Sequence, residues 1–322
     1  MTSFLKTLVL GASIALAGAG AYADNAPVRL IIGVPPGGAL DNLARSIAEE
    51  LRGSLKAPVL VESRPGASTR ISIEAVKTAR PDGHTILIGA TPPFVLFPMT
   101  YARLNYDVDK DFIPIAHLAN VPSVVSTGAN QPYKTIPEYV AWVKKNPAQG
   151  SVGITNLGGG LHFSLWQLSK AIGVPLAAVS YRGGAPLATD IIGDHVPLGA
   201  DALASQMELH RSGKLRILGV AGTKRLSWLP DVPTLKEAGY DAFDRANASY
   251  AAFVPAGTPK DVVATLEKAF LAAMRSPQVR GQLERIGLDA TGLPGAEVTR
   301  LMNEDREYWR PIVKASGFKS DE

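Results

Sequence analysis

The chain has 322 residues, of which 46% are hydrophobic and 19% are charged. This composition, with 31 glycines and 24 prolines spread along the chain, excludes a disordered protein, a coiled coil and a collagen-like repeat. The net charge of +4 is too small and too dispersed for a nucleic-acid-binding surface. Because there is no cysteine, disulfides, thiolate metal sites and thiol nucleophiles are excluded as well.

The first 23 residues predict a secretory signal peptide. Lys6 precedes an apolar run over residues 7–19, and Ala21, Tyr22 and Ala23 form an A-x-A cleavage site. A membrane anchor is the alternative, but the run is shorter than the roughly 20 residues that span a bilayer. We therefore expect a mature chain that begins near Asp24 and diffuses freely in the periplasm.

Strand and helix patterns alternate along the rest of the chain. Short apolar runs that predict buried strands lie at residues 28–34, 59–62, 85–90, 152–155, 176–180, 196–200, 215–220 and 251–254. Capping-box patterns predict helix starts at Thr135 and Thr234, each followed by a glutamate three residues later. The alternation predicts an α/β fold, with a parallel or mixed sheet covered by helices on both faces.

Glycine-rich or proline-rich loops follow several of these strands, at residues 35–38, 65–69, 156–160 and 182–186. Small residues let a ligand approach the backbone, and a helix N-terminus offers unpaired N–H groups with partial positive charge. Together such loops would line a crevice suited to an anion. Any single one could equally be an ordinary turn.

Motifs of catalysis and metal binding are missing from the sequence. There is no G-x-S-x-G, H-E-x-x-H or phosphate-binding P-loop pattern, and no two of the five histidines are four residues apart. His162 follows three glycines at an expected helix start, which is more typical of a structural residue than of a catalyst. We therefore expect no catalytic residue, no metal and no cofactor.

Several segments, in order and spacing, resemble one known family. They are VRLIIGVPPGGALD at 28–41, VESRP at 61–65, ARPDG at 79–83, DKDFIPI at 109–115, VSYRGGAPLATD at 179–190, LPDVPTLKE at 229–237 and FVPAGTP at 253–259. They are similar to the receptors of tripartite tricarboxylate transporters, also called Bug proteins. The resemblance implies a type II-like periplasmic binding protein that closes an interdomain cleft on an organic carboxylate and does no chemistry.

The resemblance also implies partners and domain limits. The partners would be a large and a small integral-membrane permease subunit, and we expect a monomer that binds no nucleic acid. Together with the linkers, the resemblance predicts a discontinuous first domain, residues 24–122 with 248–322, and a second domain at residues 123–247.

Site residues follow from matching the family's loops to this sequence. The predicted ligand-binding residues are Pro36, Gly37, Gly38, Ala39, Asp41, Ser68, Thr69, Arg70, Thr91, Thr155, Asn156, Gly158, Gly159, Gly160, His162, Arg182, Asp201 and Tyr250. The chain departs from the family at Ser68, Thr69 and Arg70, where glycine, glycine and asparagine are usual. It also has Tyr250 where tryptophan is common.

Selectivity is predicted from two arginines and an apolar stretch. Arg70 and Arg182 could hold a second acidic group, since a guanidinium binds a carboxylate bidentately, and Pro92, Pro93 and Phe94 could line the space between. That combination favours a diacid with an apolar or aromatic middle, unless Arg70 points to solvent. A secreted enzyme on the same fold, relying on His162, and a ligand-sensing partner of a membrane sensor remain alternatives.

Overall fold

The structure is a computed structural model that describes residues 26–320. The predicted signal peptide at residues 1–23 lies outside the described residues. Within the described range, no helix has the length and apolar character needed to cross a membrane.

Two separate sheets organise the described chain. The strands, in chain order, are β1 Val28–Ile32, β2 Val59–Ser63, β3 Thr85–Ala90, β4 Phe112–Val121, β5 Ser123–Gly128, β6 Ser151–Ile154, β7 Ala177–Ser180, β8 Leu198–Ala202, β9 Leu215–Val220, β10 Ala248–Pro255 and β11 Asp289–Pro294. The first sheet has the order β11-β4-β10-β3-β1-β2, and the second has the order β7-β6-β8-β5-β9. In each sheet, parallel pairs joined through helices stand beside antiparallel neighbours. The predicted α/β class is confirmed.

Helices cover both faces of the sheets. They are α1 Ala39–Leu55, α2 Arg70–Lys77, α3 Pro92–Val95, α4 Phe97–Thr100, α5 Val108–Asp111, α6 Ile136–Lys145, α7 Gly160–Ile172, α8 Gly184–Ile192, α9 Met207–Arg211, α10 Lys260–Arg275, α11 Pro277–Arg285 and α12 Gly295–Ser316. Short 3-10 helices lie at Ala67–Thr69, Pro147–Gln149, Leu203–Ser205 and Asp241–Phe243. In α1, Leu43, Ile47 and Leu51 are fully buried on one face. Burying a side chain of this size contributes about 2 kcal/mol, so packing on the sheet holds the helix in place.

The chain crosses between the sheets twice, and the two crossings lie side by side. Ala248 of β10 pairs with Val121 of β4 where the chain leaves and re-enters the first sheet. The side chain of Asn247 fastens the crossings: Oδ1 accepts the N–H of Ser123 at 2.8 Å, and Nδ2 donates to the carbonyl of Ala221 at 3.1 Å. Asn247 therefore ties the two crossings to the end of β9 where the sheets meet.

One aromatic side chain from the second sheet's helices enters the core of the first. Phe163 of α7 is fully buried in the apolar cluster on the α12 face of the first sheet. Its ring centroid lies 6.1 Å from that of Trp309 and 5.9 Å from that of Phe318. Helices α7 and α12 therefore pack together and join the two sheets on one side of the crossings.

The helix predicted to start at Thr234 is not formed. The capping box itself is present, since the hydroxyl of Thr234 accepts the N–H of Glu237 at 3.0 Å and the Glu237 carboxylate accepts the N–H of Thr234 at 2.7 Å. These bonds enclose a series of turns. Gly239, in the left-handed region at φ 92°, turns the chain before a helix can propagate.

Candidate ligand-binding site

A cavity of about 200 Å³ lies between the two sheets. Its lining comprises Ala90, Thr91, Pro92, Val95, Leu96, Val121, Ser123, Thr155, Asn156, Gly159, Gly160, Leu161, Asp201, Ala202, Arg245, Ala246, Asn247, Ala248, Tyr250, Asp305 and Trp309. A larger depression of about 560 Å³ around Arg70 is lined by helix and loop residues between β2 and β4, all on the side of the first sheet. In the smaller cavity, polar groups at the ends of strands in both sheets converge beside the N-terminus of α7, which makes it the candidate site.

The glycines before α7 bring the helix N-terminus to the cavity wall. Gly158 has φ 80°, and Gly159 caps the helix, its N–H donating to the carbonyl of Asn156 at 3.1 Å. A side chain at Gly160 would place its Cβ 3.0 Å from the carbonyl oxygen of Ala246. The close approach of the start of α7 to Ala246 thus requires glycine at position 160. The first N–H groups of a helix have no partner within it, so Gly160 and Leu161 present them where an anion can bind.

Asp201 forms the polar floor of the cavity at the end of β8. Its side chain is 6% exposed. The hydroxyl of Thr155 donates to Oδ1, and the hydroxyl of Ser205 donates to Oδ2 at 2.5 Å. Gly184, at the start of α8, packs so closely that a Cβ there would lie 2.7 Å from Oδ2. The sequence prediction that Asp201 belongs to the site agrees with this position, although its ligand contacts remain a prediction.

Tyr250 separates the cavity from a smaller apolar pocket. That side pocket of about 100 Å³ is lined by Gly33, Val34, Leu40, Thr69, Ser72, Ile73, Leu87, Gly89, Ala90, Phe94 and Tyr250. Burial, and secondarily the charge of Asp201, raise the pKa of Tyr250 to about 12, so the phenol keeps its proton at neutral pH and can donate it. Thr91, next to Tyr250, uses its hydroxyl to accept the N–H of Ser249 at 3.1 Å.

Arg245 and Asp305 also line the cavity, and the sequence did not predict them. Arg245 precedes β10, and Asp305 lies on α12. Arg245 Nη1 donates to Asp305 Oδ1 at 2.8 Å, and Nη2 lies 3.6 Å from Glu304 Oε2. Burial raises the pKa of Asp305, against the opposing effect of Arg245. The two partners are 60 residues apart in the chain, so no local motif could have indicated the pair.

The proline–glycine loop after β1 lies outside this cavity. Pro36, Gly37 and Gly38 are exposed and Ala39 is half-buried, and none of them lines it. Asp41 is 3% exposed, and its carboxylate accepts the N–H of Gly37 at 2.9 Å. Its pKa is lowered mainly by the hydrogen bond from Arg45 at 3.0 Å. Asp41 therefore shapes the loop from within.

The loop that carries Ser68, Thr69 and Arg70 holds three consecutive left-handed residues. Ala67, Ser68 and Thr69 have φ of 45°, 52° and 74°. Thr69 reaches the side pocket, whereas Ser68 is exposed. The guanidinium of Arg70 lies 4.7 Å from the ring centroid of Tyr101, and its Nε donates to the carbonyl of Ala67 at 2.9 Å. In this arrangement Arg70 contacts the outer surface of the first sheet's half and does not line the cavity.

His162 and Arg182 do not line the cavity either. Nδ1 of His162 accepts the N–H of Gly158 at 3.2 Å, and its ring packs edge-on against Phe318, with centroids 4.9 Å apart. Burial lowers the pKa of His162, so the neutral ring supports the glycine loop at neutral pH. Arg182 is exposed in the loop between β7 and α8.

The predicted residues thus divide into two groups. Those that line the cavity are Thr91, Thr155, Asn156, Gly159, Gly160, Asp201 and Tyr250. The remaining predicted residues lie in neighbouring loops or pockets. Within residues 26–320, no group of three or more metal-ligating side chains could hold a metal ion.

The family model that matches this chain is the tripartite tricarboxylate transporter family receptor, over residues 43–318. Since it covers most of the sequence, the chain belongs to this family of periplasmic binding proteins. The resemblance seen in the sequence motifs is confirmed.

Solved structures of the same kind superimpose closely. The periplasmic binding protein BugD is 30% identical with a TM-score of 0.78, covering 91% of this chain and 98% of its own. MatC from Rhodopseudomonas palustris, solved with malate, is 27% identical with a TM-score of 0.77, covering 89% and 98%. Another R. palustris protein, solved with adipate, is 27% identical with a TM-score of 0.82, covering 91% and 98%. The periplasmic solute-binding fold is therefore confirmed.

Proposed function

We propose that this chain is a periplasmic solute receptor that captures an organic carboxylate in the cavity between its two sheets. The observation that carries the proposal is the glycine-rich N-terminus of α7, which brings unpaired N–H groups to the cavity wall. Malate and adipate, the ligands of the two R. palustris structures, belong to the same chemical class. Titration calorimetry against a panel of mono- and dicarboxylates tests the proposal, which fails if no acid binds.

A narrower form of the proposal is a diacid with an apolar or aromatic middle. Val95, Leu96 and Trp309 supply apolar surface on one wall of the cavity. Arg70, proposed to hold the distal acid, would have to leave its contact with Tyr101 to reach it. We expect Arg70→Ala to weaken diacids selectively, by on the order of 2–5 kcal/mol. Equal or absent losses for matched mono- and diacids would show that Arg70 does not read the distal group.

We further propose that the sheets mark two domains, residues 24–122 with 248–322 and residues 123–247, which close on the ligand. A carboxylate held from both walls favours the closed state by its differential affinity. The exposed loop of Pro36, Gly37 and Gly38 would then approach the cavity. Small-angle scattering should show compaction on binding, and unchanged dimensions with a tightly bound ligand would contradict closure.

The proposed destination of the ligand is a transporter with a large and a small membrane subunit. Ligand-dependent uptake of a labelled acid into vesicles that contain both subunits tests this step. If uptake proceeds equally well without the receptor, the alternative is that this protein binds the ligand as the partner of a membrane sensor.

Binding without chemistry is proposed over catalysis on the same fold. His162, the residue on which the enzyme alternative relies, accepts the N–H of Gly158 at Nδ1 and packs its ring against Phe318. NMR of the bound acid after prolonged incubation should return it unchanged. A new product formed in proportion to protein would favour the enzyme.

A further inference from the structure

The carboxylate of Asp201, on the floor of the cavity, has no cationic partner among residues 26–320. The ion pairs formed within the described residues do not include it. The guanidinium that lines the same cavity, that of Arg245, is committed to Asp305 at 2.8 Å and lies 3.6 Å from Glu304. The floor of the cavity therefore remains anionic, with Arg245 already balanced by acids of α12.

The hydrogen bonds around Asp201 fix what the floor can recognise. Thr155 and Ser205 both donate their hydroxyl protons to it. A carboxylate has about four lone-pair sites, so two bonds leave it able to accept more. The Thr155 hydroxyl, with its proton turned to Asp201, presents only lone pairs to the cavity. The cavity floor formed by Asp201 and Thr155 therefore accepts hydrogen bonds. A second carboxylate placed against it would be repelled.

The same loop also presents hydrogen-bond donors to the cavity. Gly160 and Leu161, at the start of α7, present backbone donors to the cavity. Thr155 and Gly160 are the two ends of one short loop, so a small molecule can touch both. The carboxylate of such a molecule can accept hydrogen bonds from the N–H groups at the start of α7. A hydrogen-bond donor on the same molecule can bind Asp201.

We propose that the ligand carries a hydroxyl or ammonium group in addition to its carboxylate, and that Asp201 receives this group. The inference rests on the proposed function, because it assumes that a carboxylate binds in this cavity. Asp201 is thus a specificity residue, which separates hydroxy or amino acids from their unsubstituted analogues. A site built to receive such a donor discriminates strongly against analogues that lack it.

The test is titration calorimetry with acids that differ only in this group: succinate, L-malate and L-aspartate, then glutarate, 2-hydroxyglutarate and L-glutamate. We expect a substituted acid to bind wild type at least about tenfold more tightly than its plain analogue, as for a hydrogen bond to a charged group. Asp201→Asn should abolish the preference. The matched control is Asp190→Asn. Asp190 accepts the hydroxyl of Tyr181 at 2.8 Å and does not line the cavity, so this variant should keep the preference for substituted acids.

The outcomes separate the inference from the proposed function. If plain acids bind as tightly as substituted ones, or Asp201→Asn keeps the preference, the inference is overturned while carboxylate capture stands. If no acid of either kind binds, the proposed function fails and the inference falls with it. Should Asp201→Asn fail to fold, the wild-type ratio between matched acids decides the matter, because it needs no variant.

Discussion

Arg245 and Asp305 form an ion pair of 2.8 Å that joins the segment leaving the second sheet to helix α12 on the first. The side chains are 37% and 30% exposed, so the pair lies between a surface pair and a buried one. Because Arg245 and Asp305 also line the cavity, the pair connects the position of α12 to the shape of the site.

Breaking this pair should destabilise the protein through the charge that loses its partner, which is a carboxylate in one variant and a guanidinium in the other. We expect Arg245→Gln and Asp305→Asn each to lower the free energy of unfolding by about 1–3 kcal/mol, between the ranges typical of exposed and buried pairs. Urea unfolding of both single variants and the double variant measures the coupling. If the two losses simply add, the pair contributes no coupling energy and this account of it is wrong.

His117 should make stability depend on pH. The side chain is 2% exposed, its Nδ1 lies 2.6 Å from the Thr291 hydroxyl, and burial lowers its pKa from 6.5 to about 4. The unfolded chain therefore takes up a proton at a higher pH than the folded one. The stabilising contribution is complete above pH 6.5 and is lost as the pH falls towards 4, by about 3 kcal/mol.

The measurement is the free energy of unfolding of wild type and His117→Asn between pH 4 and pH 7. The variant should show a flatter dependence, and His195→Asn, at an exposed histidine, should follow wild type. A wild-type slope retained in His117→Asn would refute the assignment.

Thr69 is a β-branched residue held at φ 74°. The left-handed conformation costs a non-glycine residue roughly 1–2 kcal/mol, whereas glycine loses about 0.5–1 kcal/mol through its greater freedom when unfolded. Thr69→Gly should therefore raise the free energy of unfolding by up to about 1 kcal/mol. Thr78→Gly, at φ −88°, is the matched control and should lower it. Thermal unfolding that shows equal losses for both would mean that Thr69 is not strained.

The parallel parts of both sheets could be predicted, because their strands are continuous apolar runs. Thr85–Ala90, which pairs in parallel with β1, has the predicted bounds, and so does the apolar run Leu215–Val220, although β9 pairs antiparallel with β5. Strands β4 and β5 were not predicted, since their buried polar residues break the pattern. His117, buried in β4, forms a hydrogen bond with the Thr291 hydroxyl at 2.6 Å, and Thr127, buried in β5, donates to the Pro197 carbonyl at 2.8 Å. Partners this distant in sequence make buried polarity acceptable, and no local window contains them.

The candidate site, too, could be predicted from the sequence only in part. The loop from Thr155 to Gly160 could be located because consecutive glycines before a helix have a local signature. Arg245 has no such local signature, since only the tertiary fold brings it to Asp305. The loop at Gly37 carries an equally clear signature, yet it lies outside the cavity, because a loop's sequence does not specify how the two sheets are oriented towards each other.

Binding to a cavity-blocked variant tests the central claim most directly. Asn156 lines the cavity, whereas its neighbour Leu157 does not line it and is 45% exposed. Titration calorimetry should compare wild type, Asn156→Trp and Leu157→Trp, using the tightest-binding acid of the carboxylate panel. The account predicts that the indole at position 156 fills space needed by the ligand and lowers affinity at least about tenfold, while Leu157→Trp binds as wild type does. Wild-type affinity in folded Asn156→Trp would contradict the account, because the ligand would then bind elsewhere.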